Sequence, residues 1–204
     1  MNTKFLFASV AALVIATPAM AQDEAPEFKG GARVEARIGV DDVVLKAGGE
    51  SASKVGFAFG GEVGYDYATN SGFVIGAYAG IEGATTKKCA RVTTNNEVCL
   101  KAGRNITAGV RAGGVVRSGL LYVKGGYTNG RATGTYRSIT PAASSSASGN
   151  LDGWHAGAGY ELPVSANTYA KIEYLYTHYS TGNDFGADIG LQRHQGLIGF
   201  GYRF

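Results

Sequence analysis

The chain has 204 residues, enough for one domain, and a formal charge of +3 from 19 basic and 16 acidic residues. A balance this even gives no case for nucleic acid or for any other strongly charged partner. With 32 glycines, 12 tyrosines and only 4 prolines, the composition disfavours helices and suits strands with one crowded face.

Residues Met1 to Ala21 read as a secretory signal peptide: Lys4 is the basic start, Phe5 to Ala16 the apolar stretch, and Ala19-Met20-Ala21 the small-x-small cleavage site. Residues 22–204 then form the mature domain. Without Lys4, 18 basic residues face 16 acidic ones. No later stretch holds the roughly 18 apolar residues of a transmembrane helix. Export puts Cys89 and Cys99 in an oxidising compartment, where a disulfide closing a short loop is expected.

Eight segments alternate apolar and polar residues, the signature of half-buried strands. Ala32 to Val40 sets Val34, Ala36 and Ile38 against Arg33, Glu35 and Arg37. Lys54 to Tyr67 sets Phe57, Phe59, Val63, Tyr65 and Tyr67 against Gly60, Glu62 and Asp66. Gly72 to Gly83 sets Ile75 and Ile81 against Gly76, Tyr78 and Glu82. Ala102 to Val116 opposes Ile106, Val110 and Ala112 to Asn105, Thr107 and Arg111. Leu120 to Thr128 opposes Leu121, Val123 and Tyr127 to Tyr122 and Lys124. Gly153 to Leu162 opposes Trp154 and Tyr160 to His155 and Glu161. Thr168 to Tyr179 opposes Ile172, Tyr174 and Tyr176 to Lys171 and Glu173. Leu191 to Phe204 opposes Ile198, Phe200, Tyr202 and Phe204 to Arg193, Gln195 and Arg203.

The polar faces are mostly glycine with isolated charges of both signs, which is what a narrow lumen demands: small residues leave room, and buried charges must meet partners. Aromatics gather at the ends of the apolar faces, as in the girdles of a barrel at two lipid interfaces. Connections alternate: Asp41–Ser53, Ala84–Lys101, Asn129–Asp152 and Ser180–Gly190 are long, whereas Ala68–Ser71, Arg117–Gly119 and Pro163–Asn167 are short. That rhythm fits short periplasmic turns and long outer loops. In lipid no sheet edge can stay open. The expected fold is therefore all-β: a closed, up-and-down antiparallel transmembrane β-barrel of about eight strands, with a filled interior.

Three stretches carry a family resemblance: Gly153-Trp154-His155-Ala156-Gly157-Ala158-Gly159-Tyr160-Glu161, Lys171-Ile172-Glu173-Tyr174-Leu175-Tyr176, and Gly199-Phe200-Gly201-Tyr202-Arg203-Phe204. With them the mature chain resembles the small outer-membrane β-barrel and opacity-type surface-antigen family of Gram-negative bacteria, in its Omp25/Omp31-like porin-family branch. The resemblance implies a place in the cell outer membrane and an envelope-structural, surface-antigen or adhesion role. The ending, with Tyr202 and the terminal Phe204, resembles the signal read by barrel-assembly machinery.

The expected lumen charge network is Arg33, Glu35, Arg37, Glu62, Glu82, Arg111, Lys124, Glu161, Lys171, Glu173 and Arg203. Lys87, Lys88 and Arg91, beside the cysteines, are candidates for surface contact, with lipopolysaccharide phosphates as one partner; an ordinary solvated loop is the structural reading. The expected partners are outer-membrane lipid and lipopolysaccharide, the assembly machinery, and an unidentified extracellular ligand, with no cofactor or metal. His178-Tyr179-Ser180 resembles the motif of outer-membrane lipid A deacylases, with His178 as base and Ser180 as nucleophile. The expected downstream acid is missing, Leu191-Gln192-Arg193 standing there instead. A strand-end aromatic belt is the preferred reading, and no enzyme is expected. A narrow-pore porin is the other alternative. Asp184 and Asp188 make a weak cation site, His155 is expected in the lumen, and His194 at the outer interface. Pro141 to Gly149 is expected to be a flexible low-complexity loop.

Overall fold

The computed structural model describes residue 28 and residues 30–47, 50–93, 96–138, 143–180 and 190–204. The expected signal peptide, together with Asp184 and Asp188, lies outside the described residues. Nine antiparallel strands follow in order: β1 (Gly31–Ala47), β2 (Glu50–Ala68), β3 (Phe73–Ala84), β4 (Lys87–Thr93), β5 (Asn96–Val116), β6 (Gly119–Ser138), β7 (Ala143–Pro163), β8 (Thr168–Ser180) and β9 (Gly190–Arg203).

Eight of them close a ring. β1 pairs with β9 from Arg33↔Arg203 to Lys46↔Gly190. β3 pairs with β5 from Phe73↔Gly114 to Glu82↔Asn105, so β4 stays outside the ring. β4 instead pairs with β5 alone, at Lys87↔Lys101 and beyond, in line above β3. Closure satisfies the backbone of both would-be edges, which lipid requires. The ring is thus the expected eight-stranded barrel, with a ninth strand added in a hairpin.

The faces are inverted relative to a soluble protein. Phe57, Val110 and Ile172 are 63%, 62% and 63% exposed, whereas Arg33, Glu62 and Arg111 are each 2% exposed. Only a lipid environment makes that distribution favourable, because apolar side chains then face hydrocarbon and charges face one another. The aromatics form two belts. At one end Tyr202 and Phe204 meet edge to face at 4.9 Å. At the other, Tyr127, Trp154 and His178 lie side by side in register, Trp154 packs on Tyr176 at 5.5 Å, and Tyr174 shares a 2.6 Å hydrogen bond with His194. Along β9 from Phe204 to His194, about 3.3 Å per residue and the usual tilt give roughly the ~25 Å of a barrel's apolar band.

The short connections are tight turns. Gly72 has a φ of 79° and donates to the Thr69 carbonyl at 3.0 Å. Arg117 bends the β5–β6 turn with a φ of 57°, a backbone region that costs any side chain but glycine. Three connections expected as long loops are instead mostly strand. β1 and β2 remain paired to Ala47↔Glu50, Lys87 to Lys101 forms the β4–β5 hairpin, and β6 and β7 stay paired to Ser138↔Ala143. Ala143 to Gly149, the described part of the expected flexible loop, is therefore strand; Pro141 and Ala142 lie outside the described residues. The alternation of apolar and polar residues fades there because no lipid band imposes it, while the hydrogen-bond ladder continues regardless.

Candidate functional site

The barrel interior gathers seven cations and seven carboxylates among the described residues: Arg33, Arg37, Arg111, Lys124, Lys171, Arg193 and Arg203 with Glu35, Asp41, Glu62, Asp66, Glu82, Glu161 and Glu173. All eleven residues of the expected network point inward and are buried. Strand periodicity places them. A residue two positions along a strand returns to the same face, so Arg33, Glu35 and Arg37 rise in one column of β1.

They pair in three tiers. Nearest the chain ends, Arg111 grips Asp66 through Nε at 2.8 Å and Nη2 at 2.5 Å. Arg203 Nη2 bridges Asp66 at 3.0 Å and Glu161 at 2.7 Å. In the middle tier, Glu62 accepts from Arg33 at 2.8 Å, Arg37 at 2.7 Å and Lys124 at 2.6 Å. Glu173 accepts from Lys171 at 2.9 Å and from the Tyr122 hydroxyl at 2.6 Å, while Lys171 also lies 2.8 Å from Glu35. In the outermost tier Arg37 reaches Glu82 at 2.8 Å, Arg193 pairs with Asp41, and Thr86 donates to Asp41 at 2.9 Å. Tyr78 and His155 share a 2.5 Å hydrogen bond, and Lys124 Nζ sits 4.0 Å over the Tyr78 ring.

Equal numbers of opposite charges, held by shared carboxylates, make a plug across the lumen. The glycines are part of it: a Cβ on Gly159 would stand 2.5 Å from the Tyr122 hydroxyl, so the ring can lie against the wall only because Gly159 has none. Asp66 and Arg193 fall on the inward face by parity but were outside the expected network. Asp41 was missed because it opens a presumed loop, although β1 continues through it to Ala47. The remaining sequence signal for Asp41 is its two-residue step from Gly39 on the column of Arg37.

Above the outer belt, the β4–β5 hairpin carries Cys89 directly opposite Cys99, joined in a disulfide. Lys87 and Lys88 lie on the same short strand, and Arg91 on it is exposed. His178 sits at the belt with its ring 5.8 Å from that of Trp154, and Ser180 closes β8, exposed. No hydrogen bond joins His178 to Ser180 among the described residues. His178 is thus placed as a belt aromatic. His155 lies in the lumen and His194 at the outer belt.

The family model for the outer membrane protein beta-barrel domain matches residues 7–204. The fold is similar to that of neisserial surface protein A (NspA), with a TM-score of 0.53 and 15% identity over 85% of this chain and 97% of that one. It is similar also to a major outer membrane protein from Thermus thermophilus, at a TM-score of 0.54 and 11% identity over 87% and 100% of the two chains. Ail, the attachment invasion locus protein of Yersinia pestis, aligns at a TM-score of 0.49 and 19% identity over 85% and 99%. No curated protein sequence matches. Identities this low speak for the fold alone, and fold, inverted surface and family model agree that the chain belongs to the outer membrane protein beta-barrel domain family and resides in the outer membrane.

Proposed function

We propose that the protein serves as an envelope-structural surface protein acting through its outer hairpins, with neither steady solute flow nor catalysis. The observation that supports this most is the middle tier of the lumen, where Glu62 and Glu173 bind four cations across the cross-section. Among the described residues, two cavities lie towards the mouths: one of about 130 Å³ beside Phe28, Tyr169 and Arg203, and one of about 50 Å³ beside Asn105, Tyr179 and Arg193. A pore needs a continuous water path, which an eight-stranded ring filled by side chains does not offer.

What extends from the membrane is built to last outside it. From Thr128 to Ser138, β6 continues for about 3.3 Å per residue beyond the belt, roughly 30 Å along the strand, and the disulfide staples the hairpin beside it. Lys87, Lys88 and Arg91 place positive charge on that hairpin, suited to lipopolysaccharide phosphates or an extracellular ligand. In this reading Tyr202 and Phe204 serve during insertion as the segment met by the barrel-assembly machinery.

The orientation is tested by single cysteines at Ser146, Asn70 and Ser165 in a Cys89→Ser/Cys99→Ser background, labelled on intact cells with a membrane-impermeant thiol reagent. Labelling at Ser146 alone is expected. Labelling at Asn70 or Ser165 would reverse the topology and remove the surface role.

A further inference from the structure

On the outer half of the barrel, the register sorts the cations by height and by face. Tyr127 and Trp154 mark the belt, facing lipid at 53% and 50% exposure. Arg131 follows Tyr127 by four residues on the same face of β6, and its side chain leans along that outward face, donating to the Ser148 hydroxyl at 2.7 Å. β5 carries an irregularity between Ala102 and Asn105, opposite Arg131. A bulge of this kind puts an extra residue into one strand and re-aims its side chains. By register it places exposed Arg104 across the ladder from Arg131. Exposed Lys101 follows, opposite Thr133 on the outward side. At about 3.3 Å per residue and the usual strand tilt, Arg131 stands roughly 10 Å above the belt. That is the outer side of the headgroup layer, which extends about 5–7 Å beyond the hydrocarbon on each face.

Among the described residues of β5, β6 and β7, one acid shares this level, Asp152. It already accepts the Tyr127 hydroxyl at 2.5 Å and the Asn129 amide at 2.6 Å, leaving three cations against one carboxylate. A second row, Arg91–Glu97–Arg137, lies much higher and contains its own acid.

We propose that Lys101, Arg104 and Arg131 form a rim site that binds the phosphates of the outer-leaflet glycolipid, anchoring the barrel at a set depth. The proposal deepens the envelope-structural reading and rests on its orientation. Guanidinium groups are suited to phosphate because they offer paired donors as well as charge. Height selects the source: the rim faces the lipid layer, whereas a soluble polyanion would meet the upper row first.

The test titrates refolded, detergent-solubilised protein with lipid A bearing both phosphates and with its fully dephosphorylated form. Binding is read through Trp154, the sole tryptophan, which lies at the belt below the rim. The protein is expected to favour the phosphorylated form by roughly tenfold or more. Lys101→Gln/Arg104→Gln/Arg131→Gln should abolish that preference while still binding the dephosphorylated form; Arg104→Lys/Arg131→Lys should keep part of it. Arg137→Gln, on the upper row, should change nothing. Unchanged preference in the triple variant, no preference in the native protein, or loss in the upper-row variant would overturn the site. Displacement of lipid A by an equimolar sulfated oligosaccharide would overturn the lipid as its source. Surface labelling at Ser146 is independent of all these outcomes, so a failed rim site and a failed orientation are told apart.

Discussion

Glu62 is the residue on which most of the lumen converges. Its two carboxylate oxygens accept from Arg33, Arg37 and Lys124, so its loss would leave three buried cations short of a partner. Removing one member of a buried charge cluster costs about 3–5 kcal/mol, chiefly because the remaining charges cannot be resolvated. Glu62→Gln is expected to destabilise the barrel by that order, measured by urea unfolding in micelles. Adding Lys124→Met should recover part of the loss, since one orphaned charge is then removed. A change below about 1 kcal/mol for the single variant would mean that water satisfies the cluster in place of the carboxylate. At this scale the sequence was informative but incomplete. The inward parity of Glu62, Lys124 and Glu173 could be read directly, yet nothing in a linear sequence says that these three, drawn from β2, β6 and β8, meet at one point.

At the level of elements, β4 stands outside the ring and is joined to it through its ladder with the outer part of β5 and through the disulfide. In the chain-entropy account, a cross-link over a loop of this size contributes about 2–3 kcal/mol by restricting the opened state. That contribution is local, because the hairpin can open without breaking the eight-stranded ring. Cys89→Ser/Cys99→Ser is therefore expected to speed amide exchange and proteolysis between Lys87 and Lys101 while leaving the midpoint of global unfolding within about 0.5 kcal/mol of the native value. A global loss of the full ~2–3 kcal/mol would show that hairpin and ring unfold as one unit. The sequence showed the two cysteines and their compartment but not the hairpin. The run from Lys87 to Lys101 lacks the long apolar alternation that marks a membrane strand, and only the ladder with β6 reveals it as sheet.

The molecule as a whole behaves as a closed cylinder with a neutral, cross-linked filling. In planar bilayers the native protein is expected to show no sustained conductance. Neutralising the middle tier with Arg37→Ala/Lys124→Ala removes bulk and two of the cations spanning the lumen. Brief openings of small amplitude should then appear if the plug is what blocks the path. Sustained conductance from the native protein would favour the narrow-pore alternative. Assembly is also a property of the whole chain, since β9 closes the ring on β1 and ends beside Phe204. Phe204→Ser is expected to lower the folded fraction in the outer membrane several-fold, measured by heat-modifiable migration, with little effect on stability once folded, because Phe204 is 73% exposed to lipid. An equal fall in refolded stability would make Phe204 a packing residue and not an assembly signal.

By itself the sequence determined the strand faces, the transmembrane segments, the alternation of turns and outer connections, and the inward charges. Each of these follows from a period of two imposed by lipid on one side and a narrow lumen on the other, and that period is local. Tertiary structure alone decided the pairing partners, the length of the strands beyond the membrane, and the entry of Asp41 into the network. It also decided that Lys101, Arg104 and Arg131 share one stretch of the β5–β6 ladder. These depend on the register between paired strands, which no local period fixes. Above the membrane the hydrogen-bond ladder persists without an apolar pattern to announce it.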